Sequence, residues 1–242
     1  MSSIRSDGNL LGAVILVVDV TESQNAEQMR REFSANVSHE LKTPLQGIIG
    51  SAELLESGMV KPGDEARFVG HIRKEASRLV NLIEDIIRLS QLDEGMELPK
   101  EKVDMLALAE EVKGILEKSA AEKHVNMTIT GEGFSVVGVR RMLHEIVYNL
   151  CDNAIKYNVP GGRVTICAEN RRLTVRDTGI GIPPEHKDRI FERFYRVDKS
   201  HSKASGGTGL GLSIVKHAAA YHKAEITLES TPGTGTAISV QF

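Results

Sequence analysis

The run Ser38-His39-Glu40-Leu41-Lys42-Thr43-Pro44-Leu45 holds an imidazole, a carboxylate and a hydroxyl in close succession. It lies in a stretch whose apolar residues, Phe33, Val37, Leu41, Leu45, Ile48, Ala52 and Leu55, recur at helical spacing. That spacing predicts an amphipathic helix with this stripe toward a core. At about 100° per residue His39 falls on the opposite side and faces water. Thr43, one turn on, shares the outer face, and Glu40 points to the flank. Pro44 removes an amide donor inside the helix and predicts a bend just past His39. A solvent-facing imidazole beside a carboxylate can present a nucleophilic nitrogen to an incoming partner. Taken singly, an exposed histidine on a helix is more often an ordinary surface residue, so the weight falls on what accompanies it.

A second set of residues lies more than a hundred positions downstream. Glu145, Asn149, Asn153 and Lys156 recur at steps of four, four and three, and so line one helix face, with Asp152 and Tyr157 beside them. Amide oxygens and a carboxylate suit a hard cation such as Mg²⁺, and Lys156 offers a positive charge to a phosphate. Alone, such a face reads more readily as a solvated polar surface. Asp177-Thr178-Gly179-Ile180-Gly181 follows an apolar strand. Its carboxylate accepts hydrogen bonds, as from an adenine amino group, and its glycines allow a flat base to approach the backbone. Gly206-Gly207-Thr208-Gly209-Leu210-Gly211 opens a further helix, whose first amides form an anion site. It follows no strand and lacks the Gly-Lys-Ser/Thr ending of a P-loop. Between the two loops lies Phe191-Glu192-Arg193-Phe194-Tyr195-Arg196, read as a short helical segment with two aromatics and with arginines within reach of phosphates. The polar stretch from Val197 to Ser205 is expected to be mobile.

The elements that must position these groups follow from composition and pattern. The 242 residues are 40% hydrophobic and 26% charged, with a net charge of −3, so the chain has the make-up of a soluble globular protein without a basic footprint for nucleic acid. Cys151 and Cys167 have no metal-binding spacing and read as small core residues in a reducing setting. The longest apolar run, Leu10 to Val18, is too short to span a bilayer and reads as one buried strand, with Asp7-Gly8-Asn9 as a turn before it. One strand needs a partner.

A helix from about Thr21, taken as its cap, to Ser57-Gly58 and a second from about Glu65 to Leu92 form an antiparallel hairpin around the turn Lys61-Pro62-Gly63-Asp64. Two helices with one stripe each bury those stripes best as a dimeric four-helix bundle. After Asp93-Glu94-Gly95 the texture becomes mixed. Helices are expected near 105–122, 139–158 and 211–221, with strands near 125–130, 163–168, 173–177, 225–230 and 236–242. The expectation is an α+β, two-domain chain: the helical hairpin over residues 21–95, then helices layered on a sheet over residues 102–242.

In this order, His-Glu-x-x-Thr-Pro, Asn-x-x-x-Asn, Asp-x-Gly-x-Gly, Phe-x-x-Phe and Gly-x-Gly-x-Gly resemble the H, N, G1, F and G2 boxes of bacterial two-component sensor histidine kinases. The resemblance spans about residues 22–242 and is most similar to phosphate-sensing-type kinases of Gram-positive bacteria. Residues 1–20 resemble the last strand and exit of a PAS-like sensor domain. The resemblance implies a dimerisation and histidine phosphotransfer domain, a homodimer through residues 21–95, followed by a GHKL-type ATP-binding α/β sandwich with a mixed sheet. It implies ATP and Mg²⁺ as cofactors and a response regulator as partner. It also implies a cytoplasmic portion of a membrane-anchored sensor, with the anchor outside this chain.

Residue by residue, His39 would be the phosphoacceptor and Glu40 its orienting base, and Thr43 would position water for a phosphatase reaction on the regulator. Asn153 would hold Mg²⁺ with Asn149 and Glu145 in support. Lys156 and Tyr157 would contact the nucleotide, Asp177 would bind the adenine amine, and Arg193 or Arg196 would steady the transferring phosphoryl group. Gly179, Gly181, Gly207, Gly209 and Gly211, with Thr208 and Leu210 between them, would admit the nucleotide to the backbone. Two positions depart from the pattern. Val139 stands where relatives carry Asp, implying a local change in capping or packing, and Gln46 stands where a small hydroxyl residue is frequent. Two other classes remain: a nucleotide-binding scaffold or phosphatase without kinase activity, and a gyrase- or MutL-like ATPase, which the helix hairpin bearing His39 disfavours.

Overall fold

The computed structural model describes residues 2–6, 9–14, 18–93, 98–197 and 208–242. The chain forms two compact units, residues 1–42 and 43–242. In the first, β1 (Ser2–Ser6) pairs antiparallel with β2 (Asn9–Val14), Ser2 opposite Val14 and Ser6 opposite Asn9. The strand expected over 10–18 is described as Asn9–Val14 and finds its partner within the chain. Ser2–Ser6 carries no apolar alternation, so its pattern does not mark it as a strand. Residues 15–17, part of the expected strand, lie outside the described residues. Helix α1 (Thr21–Glu56) follows. Thr21 is not its side-chain cap: the Asp19 carboxylate accepts the Thr21 N–H at 2.9 Å.

In the second unit, α1 stops at Gly58, whose φ of 68° suits the left-handed residue after a helix. Helix α2 (Glu65–Asp93) then returns, Asp64 accepting the Arg67 N–H at its start. Across the hairpin, Ser51 Oγ lies 3.2 Å from His71 Nδ1, and a Cβ on Gly47 would meet His71 and Glu75. Pro44 and Ser51 are buried on this stretch of α1, whereas Leu45, expected in the core-facing stripe, is 46% exposed and Ile49 48%. A single neighbouring helix covers one flank of a broad stripe and leaves the other.

The remainder is an α/β sandwich. β3 (Glu101–Asp104) pairs antiparallel with β5 (Ser135–Gly138), and both strands are too short for an apolar alternation to stand out in the sequence. Asp104 ends β3 and caps α3 (Met105–Glu122), accepting the N–H groups of Leu106 and Ala107. A five-stranded mixed sheet has the order β4 (Asn126–Thr130), β6 (Arg163–Glu169), β7 (Arg172–Asp177), β9 (Gly235–Gln241), β8 (Glu225–Thr231). Only β4 and β6 run parallel. Asn170 and Arg171, both at positive φ, make the tight β6–β7 turn.

Helices α3, α4 (Arg140–Lys156) and α5 (Gly211–Tyr221) join the sheet in one core. β6 contributes Val164, Ile166 and Ala168 from alternate positions, and α4 contributes Leu143, Ile146, Val147 and Leu150 at helical spacing. Each of these buried Val, Leu and Ile side chains stabilises the fold by about 1.5–3 kcal/mol. At the start of α4, Val139 makes no side-chain cap. Instead its N–H donates to His222 Nε2 at 3.0 Å, and Gly138 leaves room for the ring, since a Cβ there would sit 2.5 Å from it. The departure at Val139 is thus answered by a histidine from the end of α5.

Candidate functional site

The face of α4 read from the sequence borders a cavity of about 800 Å³. Glu145, Asn149, Asn153, Lys156 and Tyr157 all line it. They do so because the apolar positions of α4 are taken up by the core, which turns the polar row toward the cavity, with Glu145 itself buried there. Asn149 Nδ2 donates to the Glu145 carbonyl at 2.9 Å and lies 3.4 Å from its carboxylate. Its Oδ1 is directed toward α5: a Cβ on Gly211 would come within 2.7 Å of it. Lys156 Nζ is held by Asp152 Oδ2 at 2.6 Å. Asp152 also lines the cavity; its spacing of four from Lys156 was the available sign of that role.

Asp177 enters from the end of β7. Its Oδ1 accepts the N–H of Gly179 at 2.8 Å and of Thr236 at 3.2 Å. Burial pushes its carboxyl above the ordinary range, while those two N–H groups pull it back. Gly179 has no place for a side chain, because a Cβ would lie 2.3 Å from the Tyr157 carbonyl. Gly181, at a φ of 68°, lines the cavity, and a Cβ there would strike the Thr231 carbonyl at 2.1 Å. Thr236 supplies an amide from a strand almost sixty residues away, a relation no local motif encodes.

The opposite end is formed by the start of α5. Thr208, Gly209 and Gly211 line the cavity. Leu210 does not: its side chain is fully buried, and its N–H points to Thr208 Oγ1 at 3.3 Å. Gly207, with Gly206 and the stretch 198–205 expected to be mobile, lies outside the described residues. Arg196 and Tyr195 line the cavity, whereas Arg193 is not among its lining residues. The segment 191–196 is a series of turns rather than the expected helix. Phe194, at a φ of 63°, donates its N–H to the Gly209 carbonyl at 2.9 Å, which ties this segment to the loop before α5. Tyr195 Oη lies 2.6 Å from His186 Nδ1, and the Arg189 guanidinium lies over the Tyr195 ring.

The arrangement offers a carboxylate for a donor-bearing ring at one end and helix N-terminal amides for an anion at the other. Among the described residues no cluster of three His, Cys, Asp or Glu side chains is placed to hold a metal ion. Asn149, Asn153 and Glu145 are a sparse oxygen set, the kind that suits an octahedral cation keeping waters and sharing phosphate oxygens.

In the first unit, His39 is 80% exposed, as its helical phase requires, and Glu40 is half-buried beside it. His39 Nδ1 lies 3.8 Å from Glu40 Oε1, within ion-pair range, so the imidazole's other nitrogen is the outward one. Thr43 opens the second unit and is half-buried.

Two family descriptions match the chain: "His Kinase A (phospho-acceptor) domain" over residues 29–95, and "Histidine kinase-, DNA gyrase B-, and HSP90-like ATPase" over residues 138–242. The sensor-like histidine kinase SenX3 of Mycolicibacterium smegmatis is 39% identical over 99% of this chain and 64% of its own length. The sensor protein kinase WalK of Staphylococcus saprophyticus is 38% identical over 98% of this chain and 40% of its own. The chain thus spans less than two thirds of the length of these curated relatives. The histidine kinase ThkA, solved in complex with the response regulator protein TrrA, shares the fold with a TM-score of 0.70 at 22% identity, over 99% of this chain and 72% of that one.

Proposed function

The chain belongs to the two-component sensor histidine kinases, and from that premise we propose that it moves the γ-phosphoryl group of ATP to His39 and then to an aspartate of a response regulator. Residues 21–95 act as the dimerisation and phosphotransfer domain and residues 102–242 as the ATP-binding domain. The observation that carries this reading is the cavity, which brings Asp177, the polar row of α4 and the first turn of α5 to one place. Adenine enters at Asp177. With Oδ1 engaged by two backbone N–H groups, Oδ2 accepts the exocyclic amine. Gly181, on the cavity wall, lets the ring lie against the backbone, and Gly179 lets the loop close on the Tyr157 carbonyl. The phosphates extend toward Thr208, Gly209 and Gly211, where amides and the helix dipole favour negative charge. Lys156, braced by Asp152, meets them from α4, and Arg196 from the 191–196 segment.

Asn153 with Asn149 and Glu145 would hold Mg²⁺, which neutralises phosphate charge when bound. At His39, Glu40 keeps the Nδ1 side of the ring, and the outward nitrogen attacks the γ-phosphorus. An N–P bond forms, the bond to the bridging oxygen breaks, ADP leaves, and Glu40 takes the ring proton. Positioning and charge neutralisation supply most of such a reaction. Thr43, one turn beyond, orients water when the regulator's phosphoaspartate is hydrolysed. A response regulator as partner is supported by the structure of ThkA with TrrA.

Incubation with γ-labelled ATP and Mg²⁺ tests the proposal. The expected label is acid-labile and alkali-stable, and it is lost in His39→Ala while that variant still binds nucleotide. Labelling of His39→Ala at the level of the unaltered chain overturns the assignment.

A further inference from the structure

Helix α2, from the hairpin, reaches the cavity that the ATP-binding domain forms. Asn81, Glu84 and Asp85 line it beside the start of α5. The Thr208 hydroxyl donates to Asp85 Oδ2 at 2.8 Å and accepts the Leu210 N–H at 3.3 Å. One hydroxyl thereby joins an α2 carboxylate to the amides that open α5. Next to this bond Leu82 is buried to 3% exposure and Leu89 completely, and α2 packs along α5, so the carboxylate is carried on a seated helix. The same end of the cavity is thus subject to opposite demands. The first turn of α5 attracts an anion, whereas a carboxylate held there repels one.

We propose that Asp85 is an electrostatic latch by which the position of α2 sets the affinity of the cavity for nucleotide according to phosphate charge. The proposal rests on the reading of the cavity as the nucleotide site. With α2 seated, Asp85 engages Thr208 and opposes the terminal phosphates. A triphosphate in the cavity competes for the Thr208 hydroxyl and drives the carboxylate away, loosening α2. Linkage makes the two effects equal: whatever α2 seating takes from ATP binding, ATP takes from α2 seating. Adenosine, without phosphates, is indifferent to the latch, and ADP falls between.

The test compares ATP, ADP and adenosine binding by calorimetry in the unaltered chain and in Asp85→Asn, which keeps an acceptor for Thr208 but removes the charge. ATP affinity is expected to rise about fivefold or more, ADP affinity less, and adenosine affinity not at all. The ATP gain narrows in high salt, because Asp85 is only half-buried. An unchanged or weakened ATP affinity, or an equal gain for adenosine, overturns the latch. Hydrogen exchange of the 81–89 amides gives a second readout in the unaltered chain: saturating ATP accelerates it and adenosine does not, and ATP-independent exchange likewise overturns the latch. If adenosine and ATP both fail to bind, the nucleotide reading itself falls. If adenosine binds and the ATP arms fail, only the latch does.

Discussion

Asp177 shows how much of the proposed site depends on one oxygen atom. Its Oδ1 is committed to the N–H groups of Gly179 and Thr236, which fixes the loop and the following strand around it. Asp177→Asn retains that oxygen as an acceptor but turns a donor toward the place of the adenine amine. Two donors then face each other. Losing a hydrogen bond to a charged group costs about 1.5–3 kcal/mol, so adenine-nucleotide affinity is expected to fall about 10–100-fold with little change in melting temperature. Undiminished affinity, measured by calorimetry, would move the base away from Asp177. Helical spacing puts His39 on the outer face and Asn153 and Lys156 in one row, and Asp177 follows an apolar strand, but their roles come from the resemblance carried by the ordered motifs. No spacing picks out Thr236 or Asp85, since each meets its partner across a long separation in sequence.

At the scale of elements, α4 carries most of the polar row, and its start depends on a neighbour. His222 Nδ1 lies 2.7 Å from the Ala218 carbonyl, to which its N–H donates, leaving Nε2 to accept from Val139. The ring does this only when neutral. Burial, with Lys100 close by, holds its basicity below the ordinary value of 6.5 despite the Ala218 bond. In the window between the lowered and ordinary values the unfolded chain binds more protons than the folded one, so stability rises with pH there. The contribution is complete above about pH 6.5 and is lost as pH falls through the folded value. Urea unfolding between pH 7 and 5 should show this loss in the unaltered chain and a flatter profile in His222→Ala. A steeper profile in the variant would contradict the tie. Val139 alone reads as a departure with a local consequence, and nothing in the local sequence links it to His222, 83 residues away. The two short strands β3 and β5 escaped for a different reason: four residues are too few for alternation to stand out.

At the scale of the whole molecule, α1 and α2 retain exposed aliphatic residues, among them Leu45, Ile49, Val80, Ile83 and Ile87, after packing on each other. We expect a second copy to cover them in a four-helix bundle. Light scattering should give twice the chain's mass, and the double variant Ile49→Asp, Ile83→Asp should give a single chain that still binds nucleotide. A monomeric unaltered chain at micromolar concentration would remove the bundle. Among the described residues no helix is long and apolar enough to cross a membrane. The sequence by itself determined the long helices, the order of chemical motifs, the outward phase of His39 and the polar face of α4. These follow from local periods and from residue chemistry, which act over a few turns or a single loop. Only the tertiary structure decided that Asp177 and Thr236 share one hydrogen-bond system, that His222 completes the start of α4, and that α2 brings Asp85 to Thr208. Those contacts are set by how separate elements bury their apolar faces together, and no single segment contains that information.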